Sequence, residues 1–196
     1  MAVVAAFAMQ AQDAKTPYKL PAQHKDALAL DASTGLLANA FNSARQHSPF
    51  KSLEEQVAQR EENSLVKDLT DYAAKFLGTR YRLGTSGPKS FDCSGFTSYI
   101  FRQFGFEISR DSRSQYKEGE KVEKGDLQPG DLMFFSSRSS GKGRVGHVGM
   151  VVEVNPDGSC KFIHASTKHG VVYQNFPDGA YYSRHYIGAK RIIPED

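Results

Sequence analysis

Tryptophan is absent from this 196-residue chain, and cysteine occurs only twice, at Cys93 and Cys160. Two thiols do not make a disulfide framework, so stability has to come from a packed core. The chain also lacks a dominant charge: 25 Lys and Arg against 22 Asp and Glu leave a formal net charge of +3. That field is too weak and too scattered to imply a nucleic-acid partner, although it permits attraction to an anionic polymer. Long hydrophobic runs are missing as well. The one conspicuous apolar stretch, residues 2–8 (AVVAAFA), is too short to span a bilayer, so no transmembrane segment is expected. No internal repeat occurs. What is present is an ordinary globular composition, 39% hydrophobic and 11% aromatic, rich enough in Phe and Tyr to build a core. The length fits one domain with an extension, and a monomer is expected.

The apolar stretch is followed by Met9-Gln10-Ala11-Gln12-Asp13, after which the chain turns polar. This resembles the apolar region and small-residue cleavage site of a secretory signal, with cleavage after Ala8 or Ala11. The basic leader is missing, as when the true start lies upstream. Residues 1–11 are read as a signal-peptide remnant, which implies a periplasmic or secreted protein. No cysteine follows the run, so nothing there suggests a lipid anchor. Residues 12–63 read as a linker or helical extension: Pro17 and Pro21, then a weak helical pattern through Leu36, Leu37, Ala40, Phe41 and Ala44, with Pro49 as a breaker.

Regular order is predicted from Ser64. Residues 64–77 place Leu65, Leu69, Tyr72, Ala73 and Phe76 on one helical face, with Ser64 as N-cap and Gly78 as stop. A second helix is predicted within residues 91–104, where an Asp92-Cys93-Ser94-Gly95 turn runs into Phe96, Tyr99, Ile100 and Phe104, with Gly105 as stop. The remainder reads as strands over 131–135, 147–154, 161–165, 170–174 and 187–193. A basic loop spans 136–144, and Asn155-Pro156-Asp157-Gly158 is a hairpin turn by composition. Helices first and hairpin-linked strands afterwards predict an α+β fold, with helices packed on an antiparallel sheet.

A cysteine at a helix N-terminus meets unpaired backbone N–H groups and the positive end of the macrodipole, an environment that lowers a thiol's pKa. Cys93 is therefore the candidate nucleophile. Such a thiol needs a base, and the base needs an orienting group. His147 starts one predicted strand and His164 lies on the next, so a hairpin can bring both to one face. Glycines beside His147 leave room for backbone or substrate to approach closely. Cys93, His147, His164 and His169 include possible zinc ligands, but the short paired motifs C-x-x-C and H-E-x-x-H are absent, and no metal or cofactor is expected.

The run Tyr81 … Asp92-Cys93-Ser94-Gly95-Phe96 … Leu127-Gln128-Pro129-Gly130-Asp131-Leu132-Met133-Phe134-Phe135 … Gly146-His147-Val148-Gly149-Met150 … Phe162-Ile163-His164-Ala165-Ser166 resembles the NlpC-type cell-wall cysteine peptidases. The resemblance implies a papain-like core over residues 64–196 that acts on peptidoglycan stem peptides or muropeptides. It implies Cys93 as nucleophile, His147 as base and His164 as the group that orients it. Tyr81 matches the tyrosine placed near the oxyanion in that family. Ser94, Arg110, Asp111 and Ser112 match cleft-lining positions, and Asp92 is a further candidate. The implied reaction is hydrolysis next to γ-linked D-glutamate or diaminopimelate through an acyl-enzyme. An amidase or acyltransferase on the same scaffold is an alternative, as is an inactive wall-binding module contacting the wall through the basic loop Arg138 to Arg144. The hairpin between the histidines is longer than is common in the family, and a one-residue slip would turn His164 to the wrong face. Whether residues 31–60 cover the cleft is left open.

Overall fold

A capping box at Ser52, well before Ser64, opens the first of the described helices. Ser52 Oγ accepts from the Glu55 N–H at 3.2 Å, and the Glu55 carboxylate accepts from the Ser52 N–H at 2.8 Å. The computed structural model describes residues 52–194. The signal-like residues 1–11 and the linker up to residue 51 lie outside the described residues.

Helix α1 runs Leu53–Ala74, and its buried residues are Leu69 and Ala73, one turn apart. Leu53 is 77% exposed and Val57 49%. Apolar periodicity starts at Leu65 because only the later turns touch the core; the early turns rest on the cap. Ser52→Ala is expected to cost about 1 kcal/mol at this end. Circular dichroism should show lost helicity with a nearly unchanged melting temperature, since no core contact is removed.

Helix α2 runs Cys93–Gln103 and buries Phe96, Ile100 and Phe101. A single turn, α3 (Ser112–Gln115), follows. The sheet comprises β1 (Glu120–Val122), β2 (Leu132–Ser136), β3 (Val145–Val154), β4 (Cys160–Ser166), β5 (Gly170–Phe176) and β6 (Tyr186–Arg191), with a short α4 (Tyr181–His185) entering β6. Its order is β1-β6-β2-β3-β4-β5, and neighbouring strands are antiparallel. The predicted α+β class is what the structure has. Elements α3, β1 and α4 were not predicted: each has only three to five residues, too few for a periodic signal.

Strand β2 is buried at every position. Leu132 and Phe134 face a cluster shared with Leu69, Phe96 and Ile100, whereas Met133 and Phe135 face a second cluster with Phe162 and Phe176. The sheet is thus packed on both faces, which explains the unbroken apolar run of β2. The long β3–β4 hairpin carries a bulge. Val151 pairs with Phe162 but Glu153 pairs with Lys161, so Val152 is the extra residue. The irregularity lies between the histidines and the hairpin tip, and the pairing of Met150 with Ile163 continues the register toward the histidines.

Candidate active site

Cys93 is the first residue of α2, and Asp92 is its N-cap. Asp92 Oδ1 accepts from the Gly95 N–H at 2.7 Å, and Oδ2 from the Gly84 N–H at 2.7 Å. Arg110 grips both oxygens, at 2.9 Å from Nη1 and 2.7 Å from Nη2. It also donates to Ser94 Oγ and to the Thr85 carbonyl, each at 3.2 Å. This network ties the loop before the cysteine to the start of the helix. Gly95 sits so close to that loop that a Cβ would lie 2.2 Å from the Thr85 carbonyl oxygen.

Gln115, which sequence reasoning missed, is fully buried beneath the same turn. It donates to the carbonyls of Ser94 at 3.1 Å and Ser109 at 2.7 Å, and accepts from Thr97 Oγ1 at 3.0 Å. Asp92, Ser94 and Arg110 therefore meet in one network beside the thiol. Asp111 stands apart from it: its carboxylate caps α3, accepting from the N–H groups of Arg113 and Ser114 at 3.1 Å each. Ser112 is the first residue of α3. Tyr81 forms a bridge with Phe91. Burial pushes its phenol pKa up, and the neighbouring Cys93 and Asp92 add to the rise while Arg110 opposes it.

His147 and His164 share the parity of the facing pair Val151 and Phe162, so they project from the same face. His147 Nε2 lies 2.8 Å from His164 Nδ1, with the rings edge-on. The glycines flanking His147 make room for the protein itself. A Cβ at Gly149 would lie 2.6 Å from the Phe162 ring, and one at Gly146 would lie 2.3 Å from Ser137 Oγ. Pairing of β3 with β4 ends at Met150 and Ile163. Beyond that point the backbone N–H of Val148, adjacent to His147, faces the Cys93 sulfur closely enough to pull the thiol pKa down. Tyr182, a second residue that sequence reasoning missed, places its hydroxyl 3.3 Å from His164 Nε2.

Electrostatics at the thiol differ from expectation. Burial raises the Cys93 pKa above 9, and the Asp92 charge raises it further; the N–H groups of Val148, Ser94 and Cys93 pull the other way and lose. The cap that holds the helix start thus works against the dipole. Burial lowers His147 to about 4. His164 falls to about 2 through burial and the proximity of His147. Burial thus favours the neutral forms of the thiol and of both imidazoles.

These shifts have a consequence for stability. Both folded pKa values lie below the unfolded value of 6.5, so the stabilisation is present above pH 6.5 and is lost as pH falls toward 4 and then 2. In that window the unfolded chain binds protons that the folded chain refuses. The slope approaches about 1.4 kcal/mol per pH unit for each histidine. Urea unfolding at pH 7 and pH 4.5 should show a clear drop in midpoint, and His164→Gln should reduce that drop.

Among the described residues no group of three or more His, Cys, Asp or Glu could hold a metal ion. None of the described helices is long and apolar enough to cross a membrane.

Comparison with known proteins gives a consistent result. The NlpC/P60 family model matches residues 78–191. A relative from Escherichia coli, named murein DD-endopeptidase MepS/murein LD-carboxypeptidase, is 36% identical over 145 residues, covering 70% of this chain and 72% of that protein. Among solved structures, an NlpC/P60 family protein from Bacillus cereus superposes with a TM-score of 0.58 at 35% identity, over 66% of this chain and 40% of that one. The peptidoglycan hydrolase RipB from Mycobacterium tuberculosis superposes with a TM-score of 0.55 over 82% of this chain and 87% of that one; at 21% identity this likeness concerns the fold alone.

Proposed function

The chain belongs to the NlpC/P60 family, and from that premise we propose that it is a cysteine peptidase hydrolysing peptidoglycan stem peptides through an acyl-enzyme on Cys93. The bond cut lies next to γ-D-glutamate or diaminopimelate. The protein acts in the bacterial cell envelope, as a periplasmic or secreted enzyme. The peptidase domain occupies residues 64–196, and α1 crosses its boundary into the extension.

The observation that carries the reading is the 2.8 Å contact between His147 Nε2 and His164 Nδ1. It commits Nε2 of His147 and leaves Nδ1 free of that contact, and the N–H of the adjacent Val148 lies near enough to the Cys93 sulfur to lower its pKa; in this reading Nδ1 takes the thiol proton. Cys93 Sγ gives its proton to His147 Nδ1 and attacks the peptide carbonyl. Negative charge on the carbonyl oxygen is met by the Cys93 N–H and the Tyr81 hydroxyl. The amine leaves with the proton from His147, and water then hydrolyses the thioester with His147 as base. Because burial favours the neutral thiol and imidazole, proton transfer to His147 accompanies the attack of sulfur on the carbonyl rather than preceding it.

Product masses from defined muropeptides test this. An endopeptidase leaves the sugar–lactyl amide intact and splits the stem. Release of the whole stem from the lactyl group would assign an amidase, and unchanged masses with retained binding would assign a wall-binding module.

A further inference from the structure

Tyr182 has no part in the mechanism above, yet its hydroxyl has one hydrogen-bond partner among the described residues, and that partner is His164. We propose that Tyr182 is a positioning residue: by accepting from His164 Nε2–H it fixes the tautomer of His164, and through it keeps His147 Nδ1 unprotonated toward Cys93. This rests on the Cys93–His147 reading of the site.

Proton bookkeeping along the row leads there. In the charge-separated state His147 carries a proton on each nitrogen. Its Nε2–H then needs an acceptor, and the atom in reach is His164 Nδ1. His164 must therefore hold its own proton on Nε2. That residue is only 1% exposed, so its N–H needs a protein partner, and Tyr182 Oη occupies the position. The reverse direction, with Tyr182 donating, puts the His164 proton on Nδ1. His147 Nε2 becomes the acceptor and its Nδ1 is protonated against the thiol. One hydroxyl thus decides between a base and a blocked base.

The fold holds this phenol firmly. Asp178 Oδ2 accepts from the Tyr182 N–H at 3.0 Å, while Oδ1 accepts from the N–H groups of Ala180 at 3.0 Å and Ser183 at 2.9 Å. The Tyr182 ring meets Phe135 and Phe162 edge-on, each with centroids 5.2 Å apart. Burial pushes the phenol up to about 12, so it keeps its proton throughout the working range.

Tyr182→Phe keeps the ring and removes the acceptor. Tyr182 touches the imidazole pair and Asp178 acts on Tyr182; the proposed reaction adds Cys93, whose own charged and titratable neighbours are Asp92, Tyr81 and Arg110. All but one are unchanged in this variant. The expected result is a fall in kcat of about 10- to 100-fold with little change in KM, because an unpaired buried N–H penalises the imidazolium. The acid limb of kcat/KM should move to lower pH. Nitrogen-15 NMR of the histidines at pH 7 should find both protons on Nε2 in the wild type and a tautomer mixture in the variant. A purely structural role would lower the melting temperature and leave the limb and the tautomers where they were, which would overturn the proposal. A wild-type spectrum with the His147 proton on Nδ1 would overturn it without any variant. Cys93→Ala assayed in parallel separates the two levels: if it still hydrolyses muropeptides, the reading of the site itself fails.

Discussion

A chain carrying Cys93→Ala is expected to lose muropeptide hydrolysis by about 10⁴-fold or more while remaining folded. The sulfur is the atom that forms the covalent bond, and the geometry offers no substitute. His147 Nε2 is committed to His164, and Ser94 Oγ accepts from Arg110 at 3.2 Å. Removing one small side chain from the first position of α2 leaves the cap intact, because the Asp92 oxygens bond backbone N–H groups and Arg110. Melting temperature should shift by only a few degrees. Product analysis of the purified variant by mass spectrometry, beside a thermal melt, reads both halves.

The second large effect is on stability. Asp92→Ala removes the N-cap of α2, the acceptor for the Gly84 N–H and the partner of Arg110 together. The Arg110 side chain is 43% exposed against 7% for Asp92, so its ion pair is partly screened and counts for little. The two backbone N–H bonds, of which the one from Gly95 is the cap, dominate, giving a loss of about 3 kcal/mol. Urea unfolding measures it. Asp92→Asn separates charge from cap, since Asn caps well. That variant should lose less stability, and its thiol should become more acidic because the Asp92 charge raises the Cys93 pKa. Iodoacetamide should then alkylate Cys93 faster at pH 7.5 than in the wild type, even though the fold is weaker.

Much of this was legible in the residues. The α2 helix and the five longer strands, β2 to β6, carry enough apolar pattern and turn chemistry to be located within a few residues. The order of Cys93, His147 and His164 along the chain singles out the residues to examine. The capping box at Ser52 carries the Ser-x-x-Glu signature in the sequence, whereas the reading of Ser64 as N-cap followed the apolar face that starts at Leu65. Side-chain networks were not legible. Gln115 and Tyr182 each sit in stretches with no predicted element, and their roles depend on contacts across 21 and 18 residues. The thiol pKa was misjudged for a related reason. The helix dipole can be anticipated from a motif, whereas desolvation depends on what the fold packs around the sulfur, and desolvation dominates here.

Trapping the covalent intermediate tests the central claim most directly. Wild-type protein mixed briefly with a defined muropeptide, quenched in acid and mapped by mass spectrometry, should carry the acyl part of the substrate as a thioester on the peptide containing Cys93. An acyl group on any other residue would contradict the account, as would hydrolysis at the wild-type rate by Cys93→Ala.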